Sequence, residues 1–278
     1  MRVVAILCVR NEEQQIASTL SDLISEGLEI IMIDHDSRDA TRERAAQFLG
    51  KGLRQINHLP WQGRFSLHQQ LEEKQRIIVG LTDDWIVHVD ADEWLTSYSP
   101  GETLFEGIQR VDRAGYNCIH FNEFVFLPAA DDSTVSGNRR MHTRYYFYQP
   151  EYPFLIRAWK NGQGLCNTED AGHLLRGNVR MFPHDFHLRH YIFLSESHAL
   201  RKYTGRIFEP QEIARGWHRD RIVAFSSNLG FPRDQDGELH VLRHWLSKDL
   251  DTSRPRKSHY WQWQSARGIQ LPPQASVG

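Results

Sequence analysis

The sequence predicts an α/β protein with a Rossmann-like, mainly parallel central sheet flanked by helices. Over the first hundred residues, short β-rich apolar runs alternate with segments whose apolar residues recur at helical spacing. Glycines follow the helical segments, and acidic residues follow two of the apolar runs. Strands separated by helices pair in parallel through right-handed crossovers. Ligands of such a sheet bind at the carboxyl ends of its strands.

Four buried strands are predicted in this part of the chain, over residues 3–9, 29–33, 53–57 and 85–89. Between them, apolar spacing predicts helices over residues 16–24, 41–49 and 67–81. Gly27 and Gly50 stop the first two helices, since glycine readily adopts the conformation that ends a helix. The order of elements is that of a doubly wound sheet.

The pattern changes after residue 97. Ser99, Pro100 and Glu102 predict the start of a further helix, with proline at its first position and a Ser-x-x-Glu capping box. A long strand is predicted over residues 117–126, an exposed loop over 131–138 and a return to the sheet within 139–159. From about residue 196 the pattern is largely helical and ends in a polar tail.

Composition limits the classes of function. The formal net charge is −2, which provides no global basic field for nucleic acid. The three cysteines are far apart and form no CxxC pair, so a reducing cytoplasm fits best. No apolar run approaches the ~20 residues that span a bilayer. Trp261 and Trp263 beside basic residues allow at most a peripheral membrane contact, and packing on the domain is the favoured alternative.

An acidic cluster, Asp90, Asp92 and Glu93, follows the fourth predicted strand. At the carboxyl end of a central strand these carboxylates face the ligand crevice. Clustered carboxylates repel one another unless a cation neutralises them, and hard oxygen ligands suit Mg²⁺ or Mn²⁺. The alternative is a solvated turn that caps a helix.

A second cluster follows the second strand. Asp34 and Asp36 are suited to contact a base or ribose at the strand end, whereas Asp39 is the better candidate for the cap of the next helix.

Three motifs in order, LCVRNEEQQIASTL, IIMIDHDSRDAT and WIVHVDADEWL, resemble the family-2-like glycosyltransferases of the GT-A fold. The resemblance is clear over residues 1–97 and weak afterwards. It implies a hexosyltransferase-like enzyme that moves a sugar from a nucleotide-diphosphate sugar to an acceptor hydroxyl, with inversion and with Mn²⁺ or Mg²⁺. The acceptor stays open between a glycan, a lipid-linked saccharide, a metabolite and a protein.

The resemblance also implies roles for single residues. The donor-binding set is Arg10, Asn11, Glu12, Asp34, Asp36, Lys74, Asp90, Ala91 and Lys202. In the DxD motif, Asp90-Ala91-Asp92, the resemblance implies that Asp92 binds the metal directly and that Asp90 binds ribose, or the metal through water. It implies His190 as the further metal ligand, with His187 as second choice. Lys74 stands where such proteins often carry an Arg-Asn pair, which implies a contact with the donor phosphates. The alternative is that Lys74 is an ordinary exposed residue of the helix. Asp170, with Glu169, is the candidate general base.

The predicted organisation has three parts. Residues 1–97 form a nucleotide-sugar-binding half, 98–205 an acceptor and catalytic half, and 206–278 a helical C-terminal extension with a tail. Two other functions stay open: a retaining transferase or nucleotidyltransferase on a related fold, and a non-catalytic sugar-nucleotide or glycan-binding protein. The segment from Arg10 to Gln14 contains no glycine, which counts against the nucleotidyltransferase.

Overall fold

The computed structural model describes residues 1–128, 139–150, 155–168, 172–203, 206–218 and 237–265. The strands are β1 (Val3–Val9), β2 (Glu29–Asp34), β3 (Leu53–His58), β4 (Trp85–His88), β5 (Glu93–Thr96), β6 (Cys118–Leu127), β7 (Arg144–Tyr148), β8 (Ile156–Lys160), β9 (Phe186–His190) and β10 (His240–Val241). The helices are α1 (Ile16–Ser25), α2 (Thr41–Ala46), α3 (Leu67–Val79), α4 (Leu104–Arg113), α5 (Glu196–Tyr203), α6 (Pro210–Ala214) and α7 (Tyr260–Ser265). The predicted α/β class is confirmed.

The first four strands form the parallel part of the sheet, in the order β4-β1-β2-β3. Every residue of β1 is buried, because helices cover both faces of this strand. Alternate β1 residues such as Val3 and Leu7 pack with apolar residues of α1 and α4. Val4 and Ile6 face the opposite side, where Ile78 of α3 packs. This alternation produces one core on each face of the sheet.

Antiparallel strands continue the sheet beyond β4. Strand β8 lies between β4 and β6 and is antiparallel to both, and β7 and β10 follow. Strand β9 is parallel to β6 and antiparallel to β5, so it connects the turn after β4 to the second half of the chain. Residues 139–159 do return to the sheet, as predicted, through β7 and β8. The predicted loop over 131–138 lies outside the described residues.

The start of α4 corrects the predicted capping box. The N-cap is Thr103, whose side chain and that of Glu106 bond reciprocally to the first turn. Ser99 is wrong as the cap, because the helix begins at Leu104, four residues later than a Ser99 cap requires. Two consecutive Ser/Thr-x-x-Glu patterns stand here, Ser99 to Glu102 and Thr103 to Glu106, and the second one caps α4.

The C-terminal extension returns to the first half of the chain. Its described helices, α6 and α7, are short. Phe65, just before α3, forms a parallel bridge with Phe208, and the Phe65 N–H donates to the Ile207 carbonyl at 2.7 Å. Within the described part of the chain, no helix is both long enough and apolar enough to cross a membrane.

Candidate active site

A cavity of about 880 Å³ opens at the carboxyl ends of β1 and β4. Its walls come from the segment after β1, the turn between β4 and β5, strands β6 and β9, and the segments around α5 and α6. Ligands of open α/β sheets bind at this position. The predicted residues that line it are Arg10, Asn11, Glu12, Asp90, Ala91, Asp92, His190 and Lys202.

The segment after β1 is fastened to the end of β2. Asn11 has a φ of 55°, in the left-handed region that asparagine tolerates better than most residues. The Arg10 guanidinium donates to the carbonyl of His35 at 2.5 Å and to that of Asp36. It also lies 4.0 Å from the ring centre of Trp61. Arg10 therefore holds a fixed position at the cavity wall.

Asp34 and Asp36 lie beside the cavity but do not line it. Asp34 is buried, and its Oδ1 accepts the N–H of Ser37 at 3.2 Å, so it shapes the turn after β2. The Asp36 carboxylate is half exposed and lies 3.6 Å from Nε2 of His58. Their contact with base and ribose stays a prediction. Asp39 accepts the N–H of Thr41 at 3.0 Å, but its prediction as the cap is wrong by one position, because the N-cap residue of α2 is Ala40.

The buried Glu93 side chain stabilises the turn between β4 and β5. Its carboxylate accepts the Asp90 N–H at 3.0 Å and pairs with the Arg157 guanidinium at 2.5 Å. Burial raises the pKa of Glu93 to about 7, against the opposing effect of Arg157. Glu93 therefore supports the turn, while Asp90 and Asp92 remain directed at the cavity.

Asp90 is surrounded by cationic and imidazole nitrogens. The side chain keeps 45% of its surface exposed, and Lys74 Nζ, His88 Nε2 and Arg157 Nη2 lie 3.7, 3.8 and 3.4 Å from its oxygens. Desolvation alone would raise the pKa of Asp90, but Lys74, His88 and Arg157 hold it well below its ordinary value. Asp90 is therefore ionised and largely neutralised by the protein itself.

Lys74 is buried under this carboxylate. Only 4% of the residue is exposed, and Nζ lies 2.6 Å from His88 Nε2. Burial lowers the pKa of Lys74, while Asp90 opposes this effect. The alternative of an exposed helix position is wrong, because the residue is on the inner face of α3. Lys74 does not itself line the cavity, so its contact with donor phosphates stays a prediction.

Asp92 connects three elements. Its Oδ2 accepts a hydrogen bond from Lys202 Nζ at 2.8 Å and lies 3.5 Å from His190 Nε2. Lys202 Nζ is also 3.4 Å from Oε1 of Glu12. The Asp92 carbonyl accepts the Tyr191 N–H at 2.7 Å, which ties the turn to the end of β9.

A third carboxylate completes this group on the other side of His190. Glu123 Oε1 lies 2.6 Å from His190 Nδ1. Burial alone would lower the pKa of His190, but Asp92 and Glu123 raise it well above its ordinary value. Burial would raise the pKa of Glu123, whereas His190 lowers it to about 2. The imidazole therefore lies between two ionised carboxylates.

Comparison with known proteins gives a family for the first part of the chain. Residues 4–122 match the model of glycosyl transferase family 2. This segment is family-2-like. The match covers less than half of the chain and includes the three motifs, so the resemblance read from the sequence is confirmed. The chain has no match among curated protein sequences.

Several solved structures share parts of the fold. S. aureus TarS 1-349 in complex with UDP is 11% identical, with 81% of this chain and 71% of that chain covered and a TM-score of 0.43. S. aureus TarS is 11% identical, with 85% of this chain and 45% of that chain covered and a TM-score of 0.42. M. tuberculosis glucosyl-3-phosphoglycerate synthase is 20% identical, with 48% of this chain and 47% of that chain covered and a TM-score of 0.26. The chain spans less than half of the TarS chain. Since these TM-scores are below 0.5, the fold assignment rests on the topology and the family match.

The residues of the family-2-like site fit a divalent cation held by two protein groups. No cluster of three His, Cys, Asp or Glu ligands occurs among the described residues. Mg²⁺, however, is commonly bound by one or two carboxylates together with substrate phosphates and water. Asp92 Oδ2 and His190 Nε2 face each other, and Glu123 supports the far side of the imidazole, as carboxylates do behind metal-bound histidines. His190 must lose a proton to act as a ligand.

The predicted general bases, Glu169 and Asp170, lie outside the described residues. The described residues on either side are held at His88. The Asn167 side chain lies 2.8 Å from His88 Nδ1. Gly172 has a φ of 76°, and a Cβ there would come within 3.1 Å of the His88 ring. The described residues that flank both candidates therefore lie beside His88, at the end of β4.

Several residues of the site were missed in the sequence, among them Glu123, Arg157 and Trp61. Glu123 and Arg157 lie inside strands β6 and β8, where single charged residues usually face solvent, and Trp61 lies in a loop. Glu123 and Arg157 could have been found as single charged residues within otherwise apolar strand patterns. Such a residue on an inward-facing position requires a buried partner of opposite charge.

Proposed function

We propose that this protein is an inverting glycosyltransferase that moves a sugar from a nucleotide-diphosphate sugar to an acceptor hydroxyl and depends on Mn²⁺ or Mg²⁺. One observation supports this most strongly. Asp90 and Asp92 of the family-2-like segment and His190 of β9 converge on a cavity at the carboxyl ends of parallel strands. Buried cations surround them, as the binding of a diphosphate requires.

In this proposal Asp92 and His190 would hold the cation. When bound there, a divalent ion would neutralise the charge that develops on the leaving nucleotide diphosphate. The protein adds charge of its own, because Lys202 and Arg206 line the same cavity. In this proposal Lys202, which is held 2.8 Å from Asp92, would contact the phosphates of the donor. Arg10 and Trp61 form the wall beyond the β1 end and are placed to contact the nucleoside.

Inversion needs a base on the face of the sugar opposite the diphosphate. We assign this role to Asp170, with Glu169 as its neighbour, following the resemblance to the acidic pair of related transferases. A carboxylate there would accept the proton of the acceptor hydroxyl as it attacks the anomeric carbon. Replacing Asp170 with Asn should lower turnover far more than donor affinity, and near-normal turnover would place the base elsewhere.

The proposal is tested by thermal unfolding in the presence of nucleoside diphosphates and their sugars, with and without Mn²⁺. A ligand that binds the native state raises its apparent stability, so the experiment needs no acceptor. The panel includes UDP and UDP-GlcNAc, the ligands named for the TarS structures. A Mn²⁺-dependent shift with one nucleotide is expected and would identify the donor class. No shift with any nucleotide, in folded protein, would contradict the proposal.

The cellular location follows the same proposal. The free cysteines, Cys8, Cys118 and Cys166, form no disulfide. A reducing cytoplasm, where nucleotide sugars are used directly, remains the predicted site of action.

A further inference from the structure

His190 is held from behind by Glu123. Glu123 Oε1 lies 2.6 Å from His190 Nδ1, which is short even for a charge-assisted hydrogen bond. Both side chains are nearly buried, with 13% and 14% of their surfaces exposed. Water therefore competes little for either group, and the contact fixes the ring plane.

The backbone fixes both ends of this arrangement. Strand β6 carries Glu123 and runs parallel to β9, which carries His190. On the other edge of β9, His190 pairs with Glu93 of β5, and the Tyr191 N–H donates to the Asp92 carbonyl at 2.7 Å. The Glu123, His190 and Asp92 side chains therefore come from three neighbouring strands or their ends. Their relative positions do not depend on a flexible loop.

The direction of the hydrogen bond decides which nitrogen can bind a cation. An ionised carboxylate only accepts, so Nδ1 of His190 must carry the hydrogen. In the neutral imidazole Nε2 then holds the lone pair. That nitrogen faces Asp92 Oδ2 at 3.5 Å and lines the donor cavity. Without Glu123 the ring could rotate or adopt the other tautomer.

We propose that Glu123 is a positioning residue for the cation: it fixes the Nδ1–H tautomer and the orientation of His190, so that Nε2 and Asp92 form a preorganised two-ligand site. This inference rests on the proposed function. In this proposal Glu123 acts on the cation through its contact with His190. Carboxylates of this kind are commonly worth 10–100-fold in metal affinity.

The test measures Mn²⁺ binding directly, from the electron paramagnetic resonance signal of free Mn²⁺, with protein alone and with UDP or GDP. The variant is Glu123→Gln, which keeps the size of the side chain and removes its charge. We expect Mn²⁺ binding in the presence of the nucleotide to weaken by roughly 10–100-fold. Nucleotide affinity without Mn²⁺ should not change.

Further variants separate the positioning of His190 from a general effect of removing a negative charge. Glu72→Gln removes an exposed carboxylate of α3, far more accessible than Glu123, and should leave Mn²⁺ affinity unchanged. His190→Ala should weaken Mn²⁺ binding, and the double variant of Glu123→Gln with His190→Ala should be no weaker than His190→Ala alone. If Glu123→Gln does not fold, Glu123→Asp replaces it and should give a smaller loss in the same direction.

The outcomes distinguish this inference from the function on which it rests. Mn²⁺-dependent nucleotide binding that is unchanged in Glu123→Gln, or losses that add in the double variant, would overturn the role of Glu123 and leave the transferase proposal intact. Nucleotide binding by the wild type without any contribution of Mn²⁺ would overturn the inference and the metal dependence together. Absence of nucleotide binding in the folded wild type would remove the proposed function as well.

Discussion

Asp92 joins three parts of the site: its carboxylate contacts Lys202 and His190, and its backbone carbonyl accepts the N–H of Tyr191. Its replacement by Asn keeps the shape and removes the charge. We expect sugar transfer to fall by about 100-fold or more, because the cation it would bind stabilises the leaving group by several kcal/mol. Donor binding should also lose its dependence on Mn²⁺.

The measurement is initial-rate kinetics with the donor found by thermal unfolding, at several Mn²⁺ concentrations. Glu72→Gln is the control for removal of a carboxylate, since that side chain is 64% exposed. Unfolding temperature should stay close to that of the wild type, because Lys202 keeps its contact with Glu12. Full turnover in the Asp92→Asn protein would exclude Asp92 as a metal ligand.

At the scale of elements, Glu212 fastens the segment around α6 to the start of α3. Its carboxylate accepts from Ser66 Oγ at 3.0 Å and from the His68 N–H at 2.8 Å, and it lies 3.0 Å from His218 Nε2. Glu212 is 2% exposed, and its removal leaves partly buried groups of Ser66, His68 and His218 without this partner. We expect Glu212→Ala to lower the free energy of unfolding by roughly 1–3 kcal/mol.

The same change should release residues 206–218, which form part of the cavity wall. Limited proteolysis should cut this segment faster in Glu212→Ala, and donor affinity should fall because Arg206 and Trp217 line the cavity. Glu209→Ala is the matched control, since the Glu209 side chain makes only a 3.6 Å ion pair with Arg64 at the surface. Equal proteolysis in both variants would show that Glu212 does not hold the segment.

Sequence patterns were sufficient to predict the elements whose signal lies within their own residues. The parallel strands β1 to β4 and the helices between them follow from apolar periodicity and glycine stops, and residues Asp90 and Asp92 follow from their position at a strand end. The positions of β6 to β10 within the sheet could not be predicted from sequence patterns, because neighbouring strands such as β8 and β4 are distant in sequence. Glu123 was missed for the same reason, because its partner His190 lies 67 residues away.

At the scale of the whole molecule, buried histidines should make stability depend on pH. Burial lowers the pKa of His35 to about 4 and that of His198 to about 3. Both are neutral in the native state, whereas in the unfolded chain they take up a proton below about pH 6.5. The unfolded state then binds more protons, so stability falls as pH drops below about 6.5, by up to about 1.4 kcal/mol per pH unit for each histidine.

His198→Asn isolates one of these contributions. An Asn oxygen can take the place of His198 Nδ1, which accepts the Leu194 N–H at 3.1 Å, but it does not titrate. Urea unfolding at pH 7, 6 and 5 should show a shallower loss of stability in this variant. His244→Asn is the control, because exposed His244 also accepts a backbone N–H, at 3.3 Å. An identical pH slope in wild type and His198→Asn would contradict the assignment.

Strand β8 has a consequence for the design of chimaeric chains. It comes from the second half of the chain yet completes the sheet of the first half, with Val87 paired to Ala158. A chimaera joined near residue 97 would graft a foreign strand onto the edge of β4, and Arg157 of that strand also pairs with Glu93 in the DxD turn. Modules exchanged between relatives must therefore bring a compatible β8, and its arginine, with them. The two halves of the chain are therefore joined through this strand, and recombination that ignores it would disturb the β4–β5 turn as well.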